Sequence, residues 1–388
     1  MIAGGLLALL LAASGSDELE LVPLESPAPP GARYPNLSVC GNEAILSWLE
    51  PVDEGFRLGF SRHSRGWRTA VDGPKGADWF INWADFPLVS PGGYLGSEAL
   101  CLWLQRTAEG KYAYGVRGKI GGGGNWAKSF ALHDDDSPVE HGFVSAAPTA
   151  TGWFVAWLDG REMTREGGAM SLFFRHVRSS VSEDEVVLDA RVCDCCQTDI
   201  ALMGEAVLVA YRDRGSDEVR DISLIRVEGS EVSEPITVHR DGWKIVGCPV
   251  NGPALAVDET TVAVAWYTEA ERPEVRVAFS EDGGRSFGLP VRIDGGHPLG
   301  RVDAVWLRDG SLAVSWLEQK EDGAEWRLER LVDGKPAGSA ITIASVPGSR
   351  EVGFLRMVEK SGGALLAWTE KDGDFAVKTA ALRLLGDD

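Results

Sequence analysis

The sequence predicts an all-β protein, a β-propeller with seven four-stranded blades. Three observations lead to this prediction: an internal repeat, strand-length apolar segments between turn signals, and the lack of a long helical period. The repeat is a run of alternating apolar residues that ends in an aromatic, usually after a small residue. Its seven aromatics lie 50 to 55 positions apart and are Trp48, Trp103, Trp157, Tyr211, Trp266, Trp316 and Trp368. Four-stranded units with a period near fifty residues are typical of propellers.

Each unit divides into strands in the same order. A first strand leads through a turn such as residues 308–311 into the aromatic-ended second strand, and segments such as 275–280 and 235–238 supply the third and fourth. Both faces of a blade pack against its neighbours, so a small residue before the aromatic leaves room for a bulky side chain opposite. The seven aromatics are therefore assigned to the core. A six-bladed propeller is the alternative.

The two ends of the chain complete this architecture. The last unit, residues 351–385, shows no fourth strand of its own, and the alternating segment Leu19–Leu24 is predicted to complete it and close the ring. Residues 1–15 carry a short apolar run typical of a cleaved secretory signal, which predicts export to the periplasm or the extracellular medium. Residues 16–35 form a proline-rich strap that includes the closing strand. Residues 36–388 are predicted to be a single propeller domain.

Charge limits the partners that the protein can have. The 388 residues include 38 basic and 58 acidic side chains, which leaves a net charge of −20. Such a surface repels nucleic acid and anionic membranes. No second apolar segment is long enough to span a bilayer. We therefore expect a soluble monomer that does not insert into membranes once the signal is removed.

Polar side chains collect at one end of the predicted blades. The start of strand one and the end of strand two lie at the same end of an antiparallel hairpin, and turns at the other end, such as 257–260, carry no comparable set. Inner strands of a propeller line a central channel, so a funnel on this face is the expected pocket for a small anionic or sugar-like ligand. The candidate ligand-binding residues are Trp83, Arg161, Gln197, Arg212, Arg214, Arg220, Asn251 and Arg301.

Two chemical roles follow for this face. Arginines hold an anionic group by bidentate hydrogen bonds, which assigns that task to Arg212, Arg214, Arg220 and Arg301. If the protein is a hydrolase, its candidate acid/base and proton-transfer residues are Asp85, His141, Asp213, Asp221 and Asp303. Each group also has a structural alternative. The Arg–Asp pairs would brace loops, Asp85 and Asp303 would cap strand entries, and His141 would be a buried structural histidine.

Four of the six cysteines are expected in one patch on this face. Cys193, Cys195 and Cys196 precede the inner strand of unit four, and Cys248 precedes that of unit five. Three alternatives stay open: a disulfide, buried thiols, or a copper or zinc site, to which His141 would add a ligand. In a regular strand the side chains of residues 193 and 195 point opposite to that of 196, so one metal would reach all three only across a bulge.

The octapeptide 280–287, Ser-Glu-Asp-Gly-Gly-Arg-Ser-Phe, matches the Asp-box pattern Ser-x-Asp-x-Gly-x-x-aromatic. Through this box the chain resembles the sialidase-like (BNR-repeat) bacterial propellers. The sequences of residues 241–243, 247–253 and 300–303 add to the resemblance. The resemblance implies that the box is a structural turn between the third and fourth strands of a blade. Sialidases have six blades, three substrate-binding arginines, a tyrosine nucleophile paired with a glutamate, and a separate aspartic acid. Near the corresponding strand ends this chain offers Tyr211 and Tyr267.

The resemblance implies an exported propeller that binds an anionic or sugar-like ligand and, as an enzyme, a glycoside hydrolase of exo-sialidase type. Two alternatives belong to other functional classes. One is a periplasmic copper- or zinc-binding protein that uses Cys193, Cys195, Cys196 and Cys248. The other is a non-catalytic interaction platform with a plugged funnel. Apart from these metals, the sequence indicates no cofactor.

Overall fold

The computed structural model describes residues 19–92, 98–122, 125–178 and 183–385. Seven antiparallel sheets are present in this part of the chain. Each begins with an inner strand and continues outward in chain order, except that the last sheet ends with an N-terminal strand. The predicted seven-bladed propeller is confirmed, and the six-bladed alternative is wrong. The predicted signal, residues 1–15, lies outside the described residues. Within the described ranges, no helix is long and apolar enough to cross a membrane.

The first three blades follow a single N-terminal strand, β1 (Leu19–Leu24). Blade 1 consists of β2 (Arg33–Cys40), β3 (Glu43–Val52), β4 (Gly55–His63) and β5 (Val71–Gly76). Blade 2 consists of β6 (Leu88–Gly92), β7 (Glu98–Arg106), β8 (Tyr114–Gly122), β9 (Asn125–Trp126) and β10 (Phe130–Ala131). Blade 3 consists of β11 (His141–Thr149), β12 (Gly152–Asp159), β13 (Ser171–Val177) and β14 (Val186–Asp189).

The other four blades repeat this order. Blade 4 consists of β15 (Asp199–Met203), β16 (Ala206–Arg212), β17 (Ile222–Glu228), β18 (Glu231–Val232) and β19 (Ile236–His239). Blade 5 consists of β20 (Ala254–Asp258), β21 (Thr261–Thr268), β22 (Glu274–Ser280) and β23 (Val291–Arg292). Blade 6 consists of β24 (Pro298–Trp306), β25 (Leu312–Lys320), β26 (Gly323–Val332), β27 (Lys335–Pro336) and β28 (Ile341–Val346). Blade 7 has β29 (Arg356–Lys360), β30 (Gly363–Asp372) and β31 (Asp374–Leu384). Short 3-10 turns are Arg161–Thr164 and Arg350–Val352.

The N-terminal strand closes the ring. β1 pairs antiparallel with β31 along its whole length, from Leu19 opposite Leu384 to Leu24 opposite Thr379. It thereby becomes the outer strand of blade 7, as predicted. The pairing covers the edge of β31, which would otherwise be exposed.

The repeat aromatics fill the spaces between blades. Trp48, Trp157, Trp266 and Trp316 are among the largest fully buried side chains. Gly59, paired with Trp48 across strands β3 and β4, shows why small residues are needed here. A Cβ atom at this position would lie 2.5 Å from the indole nitrogen of Trp48. Close packing of this kind disfavours a larger residue at the site.

The Asp-box lies between β22 and β23, where the resemblance placed it. The carboxylate of Asp282 accepts hydrogen bonds from the main-chain N–H groups of Arg285 and Ser286, both at 2.9 Å, and from the Ser286 hydroxyl at 2.6 Å. These bonds hold the pKa of Asp282 well below its ordinary value. The box therefore stabilises a hairpin turn.

Candidate functional site

The seven inner strands enclose a central cavity of about 790 Å³. Its wall includes Asp85 and Asp303 toward the face where polar residues were predicted to collect. Toward the opposite face it includes Gly41, Asp258 and Glu359. The cavity is therefore an axial channel with polar groups along its length.

A cap crosses the axis at the predicted funnel. Gln197, from the start of blade 4, donates to the carbonyl of Ala84 in blade 2 at 2.6 Å. Trp83 stacks on Phe354 at the start of blade 7, with 6.0 Å between ring centroids. Blade 2 is adjacent to neither blade 4 nor blade 7, so these contacts can form only near the axis. Trp83 and Gln197 thus belong to a cap at this end of the cavity, and Gln197 also forms part of the cavity wall.

Arg212 is a buried brace in this structure. Its side chain is 2% exposed. The guanidinium donates to three main-chain carbonyls, those of Asn251 at 2.9 Å, Arg220 at 2.7 Å and Tyr267 at 2.7 Å. These contacts use all three nitrogens, which favours the loop-bracing alternative over an anion clamp.

Arg301 is engaged in a similar way. It donates to the carbonyl of Gly353 at 2.9 Å and lies over the Trp83 ring, 4.6 Å from its centroid. Burial lowers the pKa of Arg301 to about 10. Asn251 accepts the main-chain N–H of Arg301 at 2.7 Å. Both residues thereby join blades 5, 6 and 7, which favours a structural role for them in this arrangement.

The remaining candidate arginines form ion pairs. Arg214 lies 2.7 Å from Asp194 and 2.9 Å from Glu218, and Arg220 lies 3.0 Å from Glu218. In blade 3 the carboxylate of Asp159, at 2.6 Å, neutralises Arg161. An anionic ligand would have to compete with these carboxylates.

The candidate carboxylates of blade 4 shape loops. Asp213 accepts the main-chain N–H of Arg214 at 2.6 Å. Asp221 accepts the N–H groups of Gly242 and Trp243, both at 3.2 Å. Burial raises the pKa of both aspartates. Each is thus a turn-stabilising acceptor as well as an acid/base candidate.

Three aspartates brace neighbouring inner strands. Asp85, Asp199 and Asp303 belong to blades 2, 4 and 6, and each accepts a main-chain N–H from the inner strand of the next blade. Sequence reasoning selected Asp85 and Asp303 but missed Asp199, although all three occupy comparable positions. The donors, each at 2.7 Å, are Phe143, Leu255 and Met357.

His141 is fully buried beside a second histidine. Its Nε2 lies 3.0 Å from the carboxylate of Asp135, and its ring stacks on that of His133 with 3.9 Å between centroids. The Nδ1 atom lies 3.3 Å from the carbonyl of Tyr114. These partners occupy both ring nitrogens, so the structure does not place His141 among the cysteines.

Sequence reasoning missed the centre of a cluster formed by Asp85, Tyr114 and Glu140, here called the carboxyl–tyrosine cluster. The Tyr114 hydroxyl lies 3.0 Å from Asp85 and 2.5 Å from Glu140. Burial raises the pKa of Asp85 to about 8 and that of Glu140 to about 7. Tyr114 begins the third strand of blade 2, whereas the sequence-based candidates came from the first two strands of each blade, apart from Arg220 and Asp221 at the start of a third strand. The family resemblance implies a tyrosine paired with a glutamate, and this was the signal that could have pointed to Tyr114 and Glu140.

Cys193, Cys195, Cys196 and Cys248 form a second group, here called the thiol cluster. The Cys193 sulfur lies 2.7 Å from that of Cys196 and 4.0 Å from that of Cys195. Cys248, from the start of blade 5, is exposed, and the nearby Cys195 lowers the pKa of its thiol. Three of the four cysteines expected in one patch therefore lie together, and the contact of the Cys248 sulfur with them stays a prediction. The expectation of strand geometry is wrong, because residues 194–195 form a turn and β15 begins only at Asp199.

The two clusters lie within electrostatic range of each other. The charge of Asp194, beside the thiols, contributes to the raised pKa of Glu140 after the larger effect of burial. Lys111 interacts electrostatically with both Glu140 and Cys248. The chemistry-bearing residues therefore share one face, at the starts of blades 2 to 5.

Comparisons with known proteins identify the fold. No protein-family profile and no curated protein sequence matches the chain. Polysaccharide lyase Uly1 is similar with a TM-score of 0.53, at 10% identity over 93% of this chain and 91% of that chain. A Dyadobacter fermentans protein of unknown function has a TM-score of 0.51, at 12% identity over 95% and 98%. The NanB sialidase from Streptococcus pneumoniae has a TM-score of 0.47, at 10% identity over 92% and 68%. At these identities, the similarity to the first two establishes a shared propeller fold.

Proposed function

We propose that this protein is an exported, carbohydrate-active propeller that binds a sugar-like ligand beside Glu140 and hydrolyses a glycosidic bond. The observation that carries the proposal is the Tyr114 hydroxyl held between the carboxyl groups of Asp85 and Glu140. Uly1, which shares the fold, is a polysaccharide lyase and so acts on a sugar polymer, although a lyase cleaves by elimination and the reaction proposed here is a hydrolysis. Export rests on the signal-like residues 1–15.

Glu140 is the member of the cluster that would meet the ligand. Asp85 is 1% exposed and Tyr114 is fully buried, whereas Glu140 is only partly buried. Its pKa of about 7 leaves both protonation states populated near neutral pH. A carboxyl group with such a pKa can act first as an acid and then as a base.

The proposed reaction uses water as its second reactant. Protonated Glu140 donates its proton to the glycosidic oxygen, the bond from this oxygen to the anomeric carbon breaks, and the oxygen keeps the electron pair. Water then adds to the anomeric carbon and returns a proton to Glu140. Tyr114 is buried beneath Glu140, so its role is to position that carboxyl group. The sialidase-like role of tyrosine as nucleophile would require the cluster to open.

The arginine contacts narrow the class of ligand. Arg212 and Arg301 donate to main-chain carbonyls, and Arg214 and Arg220 are paired with acidic residues. A sialic acid presents a carboxylate that normally needs several free arginines. These contacts, together with the net charge of −20, favour a sugar recognised through its hydroxyl groups over an anionic sugar.

The test is a hydrolysis assay with fluorogenic 4-methylumbelliferyl glycosides of neutral hexoses, uronic acids and sialic acid. We expect hydrolysis of at least one neutral glycoside, with kcat/KM falling as the pH rises above about 7, where Glu140 loses its proton. The substitution Glu140→Gln should lower kcat/KM by about 10²- to 10⁴-fold.

Glu231→Gln is the matched control, because Glu231 is an exposed glutamate on the outer strand β18. It should leave the rate unchanged. Full activity of Glu140→Gln would contradict the assignment of Glu140. Ligand binding with no cleavage of any glycoside would favour the interaction platform, and cleavage of the sialoside alone would restore the exo-sialidase alternative.

A further inference from the structure

We propose that Cys193, Cys195 and Cys196 bind a thiophilic metal ion, Cu(I) or Zn(II), with Cys248 as a fourth ligand on the surface side. Sulfur ligands select these ions over the hard cations that carboxylates prefer. This site uses none of the residues that carry the proposed glycosidase chemistry. It stands or falls independently of that proposal.

The local backbone brings the three buried sulfurs together. The N–H of Cys193 donates to the carbonyl of Arg212 at 3.0 Å, which anchors the segment to the end of β16. The chain then turns at residues 194–195 and returns Cys196 to the side of Cys193. As a result, all three sulfurs lie within 4.8 Å of one another. Two sulfurs bound to one ion at about 2.3 Å cannot lie more than about 4.6 Å apart, so a small adjustment brings all three into range.

The surroundings suit an anionic thiolate site. The Nη1 atom of Arg220 lies 3.4 Å from the Cys193 sulfur. Arg220 is buried, and its Nε has no hydrogen-bond partner among the described residues. A guanidinium in this position offsets the negative charge of metal-bound thiolates and donates a hydrogen bond to their sulfur, as groups that contact metal ligands commonly do. Apolar side chains such as Phe143 and Val192 belong to the same packed cluster and limit access of water.

The role of Cys248 differs between the two metals. Three buried sulfurs without a fourth ligand suit Cu(I), which accepts low coordination numbers, whereas structural Zn(II) takes four ligands. Cys248 comes from the start of blade 5, is exposed, and lies close enough to Cys195 for that thiol to lower its pKa. It would complete a tetrahedral zinc site, or serve as the point of entry for copper.

The experiment uses the full-length protein, reduced and freed of reductant under anaerobic conditions. Cu(I) is titrated against the chelator bathocuproine disulfonate, and Zn(II) against a chromogenic zinc indicator. We expect one ion per chain, with three thiols protected from alkylation when Cu(I) is bound and four when Zn(II) is bound. Cys196→Ser should weaken metal affinity at least 100-fold. Cys248→Ser should weaken Zn(II) binding at least 10-fold and change Cu(I) affinity less than 3-fold.

The matched control is Cys101→Ser, because Cys101 is buried in blade 2 and belongs to a different packed cluster. It should bind metal like the unmodified chain. If Cys196→Ser does not fold, alkylation protection of the unmodified protein still decides the question. Retention of neither ion would overturn the proposal, as would equal affinity in a folded Cys196→Ser variant. So would a purified protein that is two mass units lighter, metal-free, and unable to bind either ion after reduction, which would indicate a purely structural disulfide.

Discussion

The carboxyl–tyrosine cluster and the thiol cluster lie on one face of the propeller, and they are held by different kinds of contact. In the first, Asp85, Tyr114 and Glu140 come from three separate chain segments, and short hydrogen bonds join them. In the second, Cys193, Cys195 and Cys196 come from a single turn whose sulfurs contact one another. In the carboxyl–tyrosine cluster, hydrogen bonds between distant chain segments influence the proton affinity of the carboxyl groups. A local turn, by contrast, is enough to gather soft ligands.

The largest expected effect concerns Arg212, which braces the carbonyls beside the thiol cluster. Arg212→Ala leaves three buried carbonyls without their donor, and should lower the free energy of unfolding by about 3–5 kcal/mol. Urea denaturation measures the loss. Arg165→Ala, at a side chain 73% exposed, is the control and should change stability by less than about 0.5 kcal/mol. A loss under about 1 kcal/mol for Arg212→Ala would return this residue to the anion-binding candidates.

The next effect is the dependence of stability on pH in the carboxyl–tyrosine cluster. Burial raises the pKa of Asp85 to about 8 in the folded protein, against about 3.9 in an unfolded chain. Between these values the folded state holds a proton that the unfolded state releases. Asp85 therefore makes stability fall as the pH rises from about 4 to about 8, by at most about 1.4 kcal/mol per pH unit.

Asp85→Asn tests this prediction, because an amide keeps an acceptor for the Phe143 N–H and a polar partner for the Tyr114 hydroxyl but does not titrate. Urea unfolding between pH 5 and pH 8 should show a shallower decline in the variant than in the parent chain. Asp78→Asn is the control at an exposed carboxyl. Parallel pH profiles for Asp85→Asn and the parent would show that Asp85 is ionised throughout this range.

The smallest expected effect concerns the shared hydroxyl. Tyr114→Phe removes one donor between two carboxyl groups and should cost about 1–2 kcal/mol of stability, measured by urea denaturation. The hydrogen bond from Tyr114 lowers the pKa of Glu140, so its loss should move that pKa above about 7. Carboxyl ¹³C NMR titration measures the shift without a substrate. An unchanged pKa of Glu140 in this variant would show that the Tyr114 hydroxyl does not influence its protonation.

Local patterns explain what could be predicted. The aromatic-ended repeat marks seven blades because each strand alternates its faces and each blade buries both. The β1 segment was recognisable as a closing strand because it alternates apolar and polar residues where the last blade lacks a strand. The expectation that Cys248 lies near Cys193 followed from the adjacency of consecutive blade openings. In each case, residues near in sequence or one repeat apart carried the information.

Contacts between distant segments could not be predicted in the same way. Arg212 binds main-chain carbonyls, which every residue type possesses, so its sequence context is the same for a brace and for an anion clamp. Gln197 and Trp83 reach across the axis because of loop geometry that strand periodicity does not describe. Tyr114 meets Asp85 and Glu140 because the start of a third strand packs beside two blade openings.

The sequence by itself determined the all-β class, the number of blades, the closing strand and the Asp-box turn, because these depend on period, alternation and local hydrogen bonding. Only the tertiary structure decided which polar groups are already paired, that the axis is capped, and that a tyrosine joins two carboxyl groups of raised pKa. The physical reason is that hydrogen bonding and burial depend on which segments meet in space. Strand periodicity specifies the direction of a side chain, but not its partner.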